Sequence, residues 1–300
     1  MPAQPIRYYD RQNQTLKTEL IYGEPWLRFT YENRVGRFFL WLLVRRTLFS
    51  KIYGWRMSQR ASGRLILPFI VRYYIDVDDF VKSALTFRTF NEFFTRALKP
   101  GRRPIAGEDN VAVLPADGRH LVFPDVDAAD GFYVKGQKFS LAELLGGAAR
   151  TEKFAGGAMV ISRLAPVDYH RFHFPCAGVP DDARLINGWL YSVNPVALRR
   201  NVRHLVQNKR YLTLIESPAF GTVAMIEVGA TAVGRIMQTY VPGRVAVKGE
   251  EKGIFSFGGS CVITLFQAGR IAFYADLVEQ SAQNIETYAR MGDWLGEVPA

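Results

Sequence analysis

The chain has 300 residues, of which 48% are hydrophobic and 13% aromatic, and its formal net charge at pH 7 is +10. This content is ample for a sizeable core and excludes a chain that is disordered throughout. Its two cysteines cannot form a disulfide framework, which is typical of a reducing compartment. The first residues show no charged segment followed by an apolar one, so we expect no secretory signal.

The positive charge is concentrated near the N-terminus. Residues 1–100 contain 17 Lys and Arg against 8 Asp and Glu, whereas the remaining 21 basic and 20 acidic residues of 101–300 nearly balance. Between Asn33 and Ile75 there are nine basic residues and no acidic one. Such a block is typical of a protein that meets a polyanion, either a nucleic acid or an anionic membrane surface.

Apolar residues within this block favour the membrane surface. Residues 38–44 are all apolar and have arginines on both sides. A helix of that length rises about 10 Å, whereas ~20 residues are needed to cross a bilayer. Basic flanks with Trp, Tyr and Phe suit a helix in the headgroup region, but a core helix with solvated ends explains the pattern equally well. No nucleic-acid recognition motif accompanies the charge.

The predicted elements of the first hundred residues are helical. A helix is predicted over residues 25–57, and an apolar stretch follows at 69–74. A short helix is predicted near residue 90, with Thr89 or Asn91 at its N-terminal cap. The segment Lys-Pro-Gly-Arg-Arg-Pro ends this region, so we place a boundary at residue 100.

Beyond that boundary the sequence predicts a β-rich core. Apolar runs rich in β-branched and aromatic residues recur at 158–161, 211–215, 222–228 and 262–266. Helices are predicted at 141–145, 194–206 and 276–291. The expected fold class is therefore α+β, with a basic helical region, 1–100, packed on a β-rich core, 101–300.

Two of the four histidines lie in one segment. His170 and His173 belong to Asp-Tyr-His-Arg-Phe-His-Phe-Pro at 168–175. Residues three apart face opposite sides of a strand but share one face of a helical turn. Without further Cys or Glu ligands the pattern is a weak zinc signal, and structural histidines are the more common explanation.

Two further segments contain residues suited to nucleophilic chemistry. Asp117 precedes a glycine in Leu-Pro-Ala-Asp-Gly-Arg-His at 114–120, which is typical of a turn but also of a buried carboxylate that orients a histidine. In Phe-Gly-Gly-Ser at 257–260, two glycines precede Ser260 between apolar strands. The spacing differs from Gly-X-Ser-X-Gly, the motif that carries the nucleophile of many hydrolases. Two interpretations stay open: a tight turn in a strand, and a nucleophile that attacks the carbonyl of its own preceding residue.

Together the three segments resemble the phosphatidylserine decarboxylase proenzymes, in the branch that has Gly-Gly-Ser at the maturation site. The resemblance covers about residues 20–290. It extends to Phe-Asn-Glu-Phe-Phe-Thr-Arg at 90–96, Arg-Pro-Ile at 103–105, Val-Gly-Ala-Thr-Ala-Val-Gly at 228–234 and Lys-Gly-Glu-Glu-Lys-Gly at 248–253.

This resemblance implies a chain that cleaves itself. Ser260 would attack the carbonyl of Gly259, with His173 as general base held by Asp117, and an acyl shift followed by β-elimination would give chains 1–259 and 260–300. The new N-terminus would become a covalent pyruvoyl cofactor, and no metal is implied. Cys261 follows the serine where we expect Thr in most relatives.

The resemblance also implies the reaction: phosphatidylserine would lose CO₂ and become phosphatidylethanolamine through a Schiff base to the pyruvoyl group at Ser260. His170 is the candidate proton donor to the product carbanion, with His173 as its rival, and Asp168 would support this network. The implied partners are phosphatidylserine, an anionic membrane surface and the two cleaved chains, without nucleic acid; a homo-oligomer stays open. We expect a peripheral protein on the cytoplasmic side of the cell membrane.

Two other classes of function stay open on the residues alone. A Ser-His-Asp lipid hydrolase would use similar residues in an uncleaved chain. Glycine-bounded strands around 245–250 resemble those of a non-enzymatic carrier or binding module, although no exposed Met-Lys-Met tip accompanies them.

Overall fold

The computed structural model describes residues 5–127, 140–231, 235–258 and 260–299. Gly259 of the expected cleavage site lies outside these ranges, as do residues 232–234 of the late family motif. Within these ranges the strands form one large mixed sheet and two small sheets, and short helices lie between them along the chain. This mixture confirms the α+β class.

The helices are short. The α-helices of the described ranges are α1 Glu24–Glu32, α2 Arg34–Phe39, α3 Thr47–Met57, α4 Ile66–Tyr73, α5 Phe90–Phe94, α6 Leu141–Leu145, α7 Pro195–Leu198, α8 His204–Gln207 and α9 Ala275–Ala282. A π-helical turn lies at Leu40–Val44, and 3-10 turns lie at Arg60–Leu65, Val77–Asp79, Ala84–Thr86, Ala148–Arg150 and Glu152–Phe154. Over the described part of the chain, no helix has the length and apolar character needed to cross a bilayer.

The strands run through the whole chain. They are β1 Arg7–Asp10, β2 Thr15–Thr18, β3 Val111–Val113, β4 Gly118–Phe123, β5 Ala158–Leu164, β6 Arg171–His173, β7 Val179–Pro180, β8 Arg184–Ile186, β9 Arg210–Ser217, β10 Gly221–Gly229, β11 Ile236–Gln238, β12 Glu251–Phe255, β13 Ser260–Phe266, β14 Ala272–Phe273, β15 Glu286–Ala289 and β16 Trp294–Glu297.

The large sheet places β13 near its centre. Its order is β2-β1-β15-β4-β5-β13-β10-β9-β7, with β8 also paired to β9. The small sheets have the orders β11-β12-β6 and β14-β16-β3. All seven residues of β13 are buried, and its apolar members alternate between two hydrophobic clusters, with Val262 in one and Ile263 in the other. The strand that begins at Ser260 therefore divides the core.

The N-terminal region contributes strands as well as helices. The helix predicted over 25–57 is present as α1, α2, the π-helical turn and α3. Thr89 caps α5, because its hydroxyl accepts the backbone N–H of Glu92 at 3.1 Å. Strands β1 and β2 precede these helices, and β1 pairs in parallel with β15 of the core.

Two helix predictions in the core were wrong in extent. Within 194–206 only α7 and α8 are helical, because the side chain of Asn201 accepts the backbone N–H of Arg203 and starts a new turn. The helix predicted over 276–291 ends with α9, and Asn284 then has a φ of 56°, in the left-handed region. The residues of β15 instead form backbone hydrogen bonds with β1 and β4, which a helix would have to give up.

An aromatic cluster joins the N-terminal helices to the segment before β13. Phe69 of α4, Phe90 and Phe94 of α5, and Phe257 are all buried in it. The ring of Phe257 meets those of Phe90 and Phe94 edge-on, at centroid distances of 5.1 and 4.9 Å. The position of the segment before Ser260 thus depends on the N-terminal region.

Candidate active site

Ser260 is fully buried at the first position of β13. Its backbone lies between Gly229 of β10 and Leu164 of β5. Its hydroxyl Oγ has no hydrogen-bond partner among the described residues. A buried polar group without a partner costs about 1–3 kcal/mol, so a chemical reason for a serine at this position is favoured over a structural one.

The chain just before Ser260 has an unusual backbone. Gly258 has a φ of 143°, a conformation that residues with a side chain rarely adopt. One residue earlier, the backbone N–H of Phe257 donates to Oδ1 of Asn91 at 2.9 Å. This segment is therefore held from α5 in a conformation that glycine permits.

His173 and Asp117 are brought together through the backbone. The N–H of His173 donates to the carbonyl of Pro115 at 2.8 Å, two residues before Asp117. Both side chains are buried, yet Nδ1 of His173 has no partner within the described ranges. The expected hydrogen bond between the two side chains is not among the contacts of these residues, and Asp117 acts on the imidazole through its charge.

The Asp117 carboxylate binds other donors. Nε and Nη2 of Arg103 donate to it at 2.8 and 2.6 Å, and the backbone N–H of Met291 donates to Oδ1 at 2.9 Å. A buried carboxylate needs such compensation, because burial without a partner is costly. Sequence reasoning missed Arg103 as a site residue, although it begins the Arg-Pro-Ile segment of the family resemblance.

The imidazole of His173 is neutral at pH 7. Burial lowers the pKa of His173 to about 4, and the charges of Glu251 and Asp117 oppose this only in part. The ring stacks on Tyr169 at a centroid distance of 5.8 Å. A neutral ring has a lone pair, so His173 can accept a proton.

His170 has different contacts from His173. Its Nδ1 lies 3.0 Å from the backbone carbonyl of Asp168, which can only accept, so Nδ1 carries the ring proton and Nε2 the lone pair. Nε2 is buried and has no partner in the described part of the chain. Phe94 covers the ring at a centroid distance of 3.8 Å, and burial lowers the pKa of His170 to about 3.

The carboxylate of Asp168 has partners other than His170. It accepts hydrogen bonds from Arg119 and from the backbone N–H of Ala165. Burial raises the pKa of Asp168, and the charge of Arg119 opposes that rise. Asp168 therefore contacts His170 through its main chain, while its side chain anchors the turn.

The other histidines and the cysteines have structural surroundings. His120 lies 2.9 Å from Oγ of Ser162, and His204 stacks on Tyr191 at a centroid distance of 4.2 Å. Cys176 and Cys261 are free and buried. No three His, Cys, Asp or Glu side chains in the described ranges are grouped to hold a metal ion.

A cavity of about 1360 Å³ lies between the N-terminal region and the core. Its wall is mainly aromatic and aliphatic, and it reaches Phe257, Gly258 and Leu164, the β5 neighbour of Ser260. It exceeds the ~300–1,000 Å³ of typical small-molecule pockets. No local pattern predicts this cavity, because its walls come from segments as far apart as residues 18–31 and 257–258.

A buried charge cluster contributes two residues to the cavity wall. The guanidinium of Arg163 donates to both oxygens of Glu19, at 3.0 and 2.7 Å, and to both oxygens of Glu286, at 2.9 and 2.6 Å. Arg163 and Glu19 line the cavity wall. The cluster joins the N-terminal region, the core and the segment after residue 260.

Comparison with known proteins gives matches along the whole chain. The family model for phosphatidylserine decarboxylase matches residues 90–297. A phosphatidylserine decarboxylase proenzyme of Chlamydia muridarum is 46% identical over 297 residues, with 99% of each chain covered. Proenzymes of the same description from Chlamydia trachomatis serovar L2 and Chlamydia felis are each 44% identical, with 99% and 97% of this chain covered.

Proposed function

The chain belongs to the phosphatidylserine decarboxylase proenzyme family, and we propose that it cleaves itself before Ser260 and then decarboxylates phosphatidylserine at the new N-terminus. The observation that carries the proposal is the Ser260 hydroxyl, which is buried, lacks a partner among the described residues and follows a glycine of positive φ by two positions.

Two different observations argue against the two alternatives. A lipid hydrolase needs a nucleophile that an external ester can reach, whereas Ser260 is fully buried and is better placed to attack its own chain. The hypothesis of a carrier module needs an exposed, mobile hairpin tip near residue 248. Nζ of Lys248 instead lies within 3.2 Å of four backbone carbonyl oxygens, those of Ala106, Gly107, Glu108 and Val111.

In the cleavage step that we propose, neutral His173 accepts the proton of the Ser260 hydroxyl. Oγ then bonds to the carbonyl carbon of residue 259, and the bond from that carbon to the nitrogen of residue 260 breaks as the nitrogen takes the proton from His173. Loss of the Cα proton of residue 260 and cleavage of its Cβ–Oγ bond then free the carboxylate of chain 1–259 and leave dehydroalanine at residue 260. Hydrolysis with loss of ammonia then leaves a pyruvoyl group on chain 260–300.

The surroundings of residue 260 and of His170 fit this cofactor. The unpartnered Oγ shows that no hydrogen bond of the described core depends on a hydroxyl there. A pyruvoyl carbonyl supplies an electron sink for the decarboxylation of an amine substrate. Nε2 of His170 would take a proton from the substrate's ammonium group and return it to the carbon that loses CO₂, while Phe94 keeps water from the ring.

The cavity provides the site that we propose for the lipid. Its apolar wall suits acyl chains, and Glu19 and Arg163 provide its polar side. Gly258, two residues before Ser260, belongs to the cavity wall, so the cavity lies beside the segment that we propose is cleaved.

We propose that the N-terminal region binds an anionic membrane peripherally. Of the 28 large hydrophobic side chains that are exposed in the described ranges, 20 lie between Leu16 and Leu85, among them Trp41 and Trp55. Exposed apolar patches of this kind mark interaction sites, and basic residues between them add attraction to anionic lipid. The cytoplasmic leaflet carries such lipids, so we place the protein there.

Mass spectrometry of the denatured protein tests the cleavage. We expect fragments 1–259 and 260–300 from the purified wild-type chain, the smaller one blocked to amine reagents. Ser260→Ala should stay intact and inactive, whereas Ser256→Ala, four residues earlier, should cleave normally. An intact wild-type chain that decarboxylates phosphatidylserine, or cleavage of Ser260→Ala at the same bond, would refute the proposal.

A further inference from the structure

The guanidinium of Arg103 binds both oxygens of the Asp117 carboxylate through Nε and Nη2. Its Nε lies 2.8 and 3.0 Å from the two carboxylate oxygens, and Nη2 lies 2.6 Å from Oδ2. The Arg103 side chain is 11% exposed and that of Asp117 2%. Two-point binding by a planar guanidinium sets the orientation of a carboxylate as well as its charge balance.

A second carboxylate holds Arg103 in place. Its Nη1 donates to Oδ2 of Asp79 at 3.2 Å, and Asp79 ends a 3-10 turn of the N-terminal region. Arg102 also pairs with Asp79, at 3.1 Å, but its side chain is 46% exposed and has no contact with Asp117 among the bonds of the described residues. The hydrogen-bonded series Asp79–Arg103–Asp117 thus connects the N-terminal region to the residues that we assign to self-cleavage.

The charge of Asp117 acts on His173. The charged and titratable groups that act on this ring come from its own segment, from β12 and from the loop before β4: Arg171, Tyr169, Glu251 and Asp117. Two of them are carboxylates, and both favour the protonated ring. Arg103 is the cation that balances one of these two charges, so it opposes protonation of His173.

We propose that Arg103 is a positioning residue for self-cleavage, which holds the Asp117 carboxylate in orientation and balances its charge beside His173. The inference rests on the function proposed above. Without Arg103 the negative charge of Asp117 is less compensated, and the pKa of His173 rises. A larger fraction of the base is then protonated at mildly acidic pH, so the acid limb of the cleavage rate moves to higher pH.

The test follows self-cleavage of the full chain, made by cell-free translation and shifted to buffers between pH 3 and 8. We expect Arg103→Gln to cleave at least tenfold more slowly and to raise the midpoint of the acid limb by at least half a pH unit. Arg103→Lys keeps the charge but loses the two-point grip, so it should slow cleavage without moving the limb. Arg102→Gln is the matched control and should behave as the wild type.

Each result decides between the proposals. A wild-type chain that never cleaves between 259 and 260 would remove the proposed function itself. Normal cleavage of Arg103→Gln, or slower cleavage with an unmoved acid limb, would overturn only the role of Arg103, because loss of a structural contact slows cleavage at every pH alike. If Arg103→Gln melts before the assay, Arg103→Lys decides, and an acid limb raised in that variant refutes the charge argument.

Discussion

Single residues at the site take their chemistry from burial. Removal from water disfavours the charged imidazole, so the pKa values of His170 and His173 fall to about 3 and 4. Both rings are therefore neutral from pH 5 to 8, and self-cleavage should lose rate only as the pH falls toward 4. The nitrogen without a partner among the described residues differs between the two rings. It is Nε2 in His170, whose Nδ1 donates to a backbone carbonyl, and Nδ1 in His173.

This difference gives a prediction for His170. We expect His170→Ala to complete self-cleavage but to lose at least 100-fold in decarboxylation, since proton transfer by a placed side chain is worth about 10²–10⁴-fold. CO₂ release from phosphatidylserine in detergent micelles measures this, with fragment masses as the check on maturation. His204→Gln is the control and should keep near-normal activity. Full activity of His170→Ala would move the proton transfer to another group.

Helix α5 organises the site at the scale of an element. A helix of five residues is not stable alone, so its place depends on its Thr89 cap and on the aromatic cluster. It contacts both halves of the site, because Asn91 binds the backbone before Ser260 and Phe94 covers His170.

Substitution of Asn91 separates this contact from the fold of the helix. Asn91→Ala leaves the N–H of Phe257 without its acceptor, so we expect slower self-cleavage and a loss of about 1–3 kcal/mol in the free energy of unfolding. Asn91→Asp keeps Oδ1 and should cleave nearly normally, as should Glu92→Gln on the same helix. Pulse-labelling and thermal unfolding measure both effects. Equal rates for Asn91→Ala and Asn91→Asp would show that the hydrogen bond does not position the cleavage segment.

The whole molecule interleaves the two expected products. Residues 260–300 supply β13 between β5 and β10, β15 between β1 and β4, and β16 between β14 and β3. Separation of the chains would therefore require opening all these pairs except β14–β16, because both of those strands belong to 260–300. The N-terminal helices, in contrast to these buried strands, have many exposed apolar and basic side chains.

Membrane binding can be measured with vesicles of neutral and of anionic phospholipid. Each well-placed basic residue is worth about 1 kcal/mol, so Arg56→Gln and Arg60→Gln should each raise Kd for anionic vesicles about fivefold. Arg270→Gln, an exposed arginine of the core, should change it little. Binding should weaken with added salt. Equal affinity for both vesicle types at every salt concentration would contradict the proposed electrostatic contribution.

Local patterns predicted much of the secondary structure. The strands expected at 211–215 and 222–228 are present as parts of β9 and β10, and α6 has the predicted bounds of 141–145. The C-terminal helix was predicted too long because β15 takes its hydrogen bonds from strands distant in sequence. Helical spacing reports local preference, whereas strand pairing depends on which segments meet.

The sequence by itself determined the family resemblance and the residues that we assign to the chemistry, because Asp117, His170, His173 and Ser260 lie in short segments of distinctive composition. Tertiary structure alone decided their surroundings. It paired Asp117 with Arg103, placed Asn91 against the chain before Ser260, and enclosed the cavity between distant segments. These contacts join residues that the order of strands and the packing of aromatic side chains bring together, and no spacing along the chain encodes such proximity.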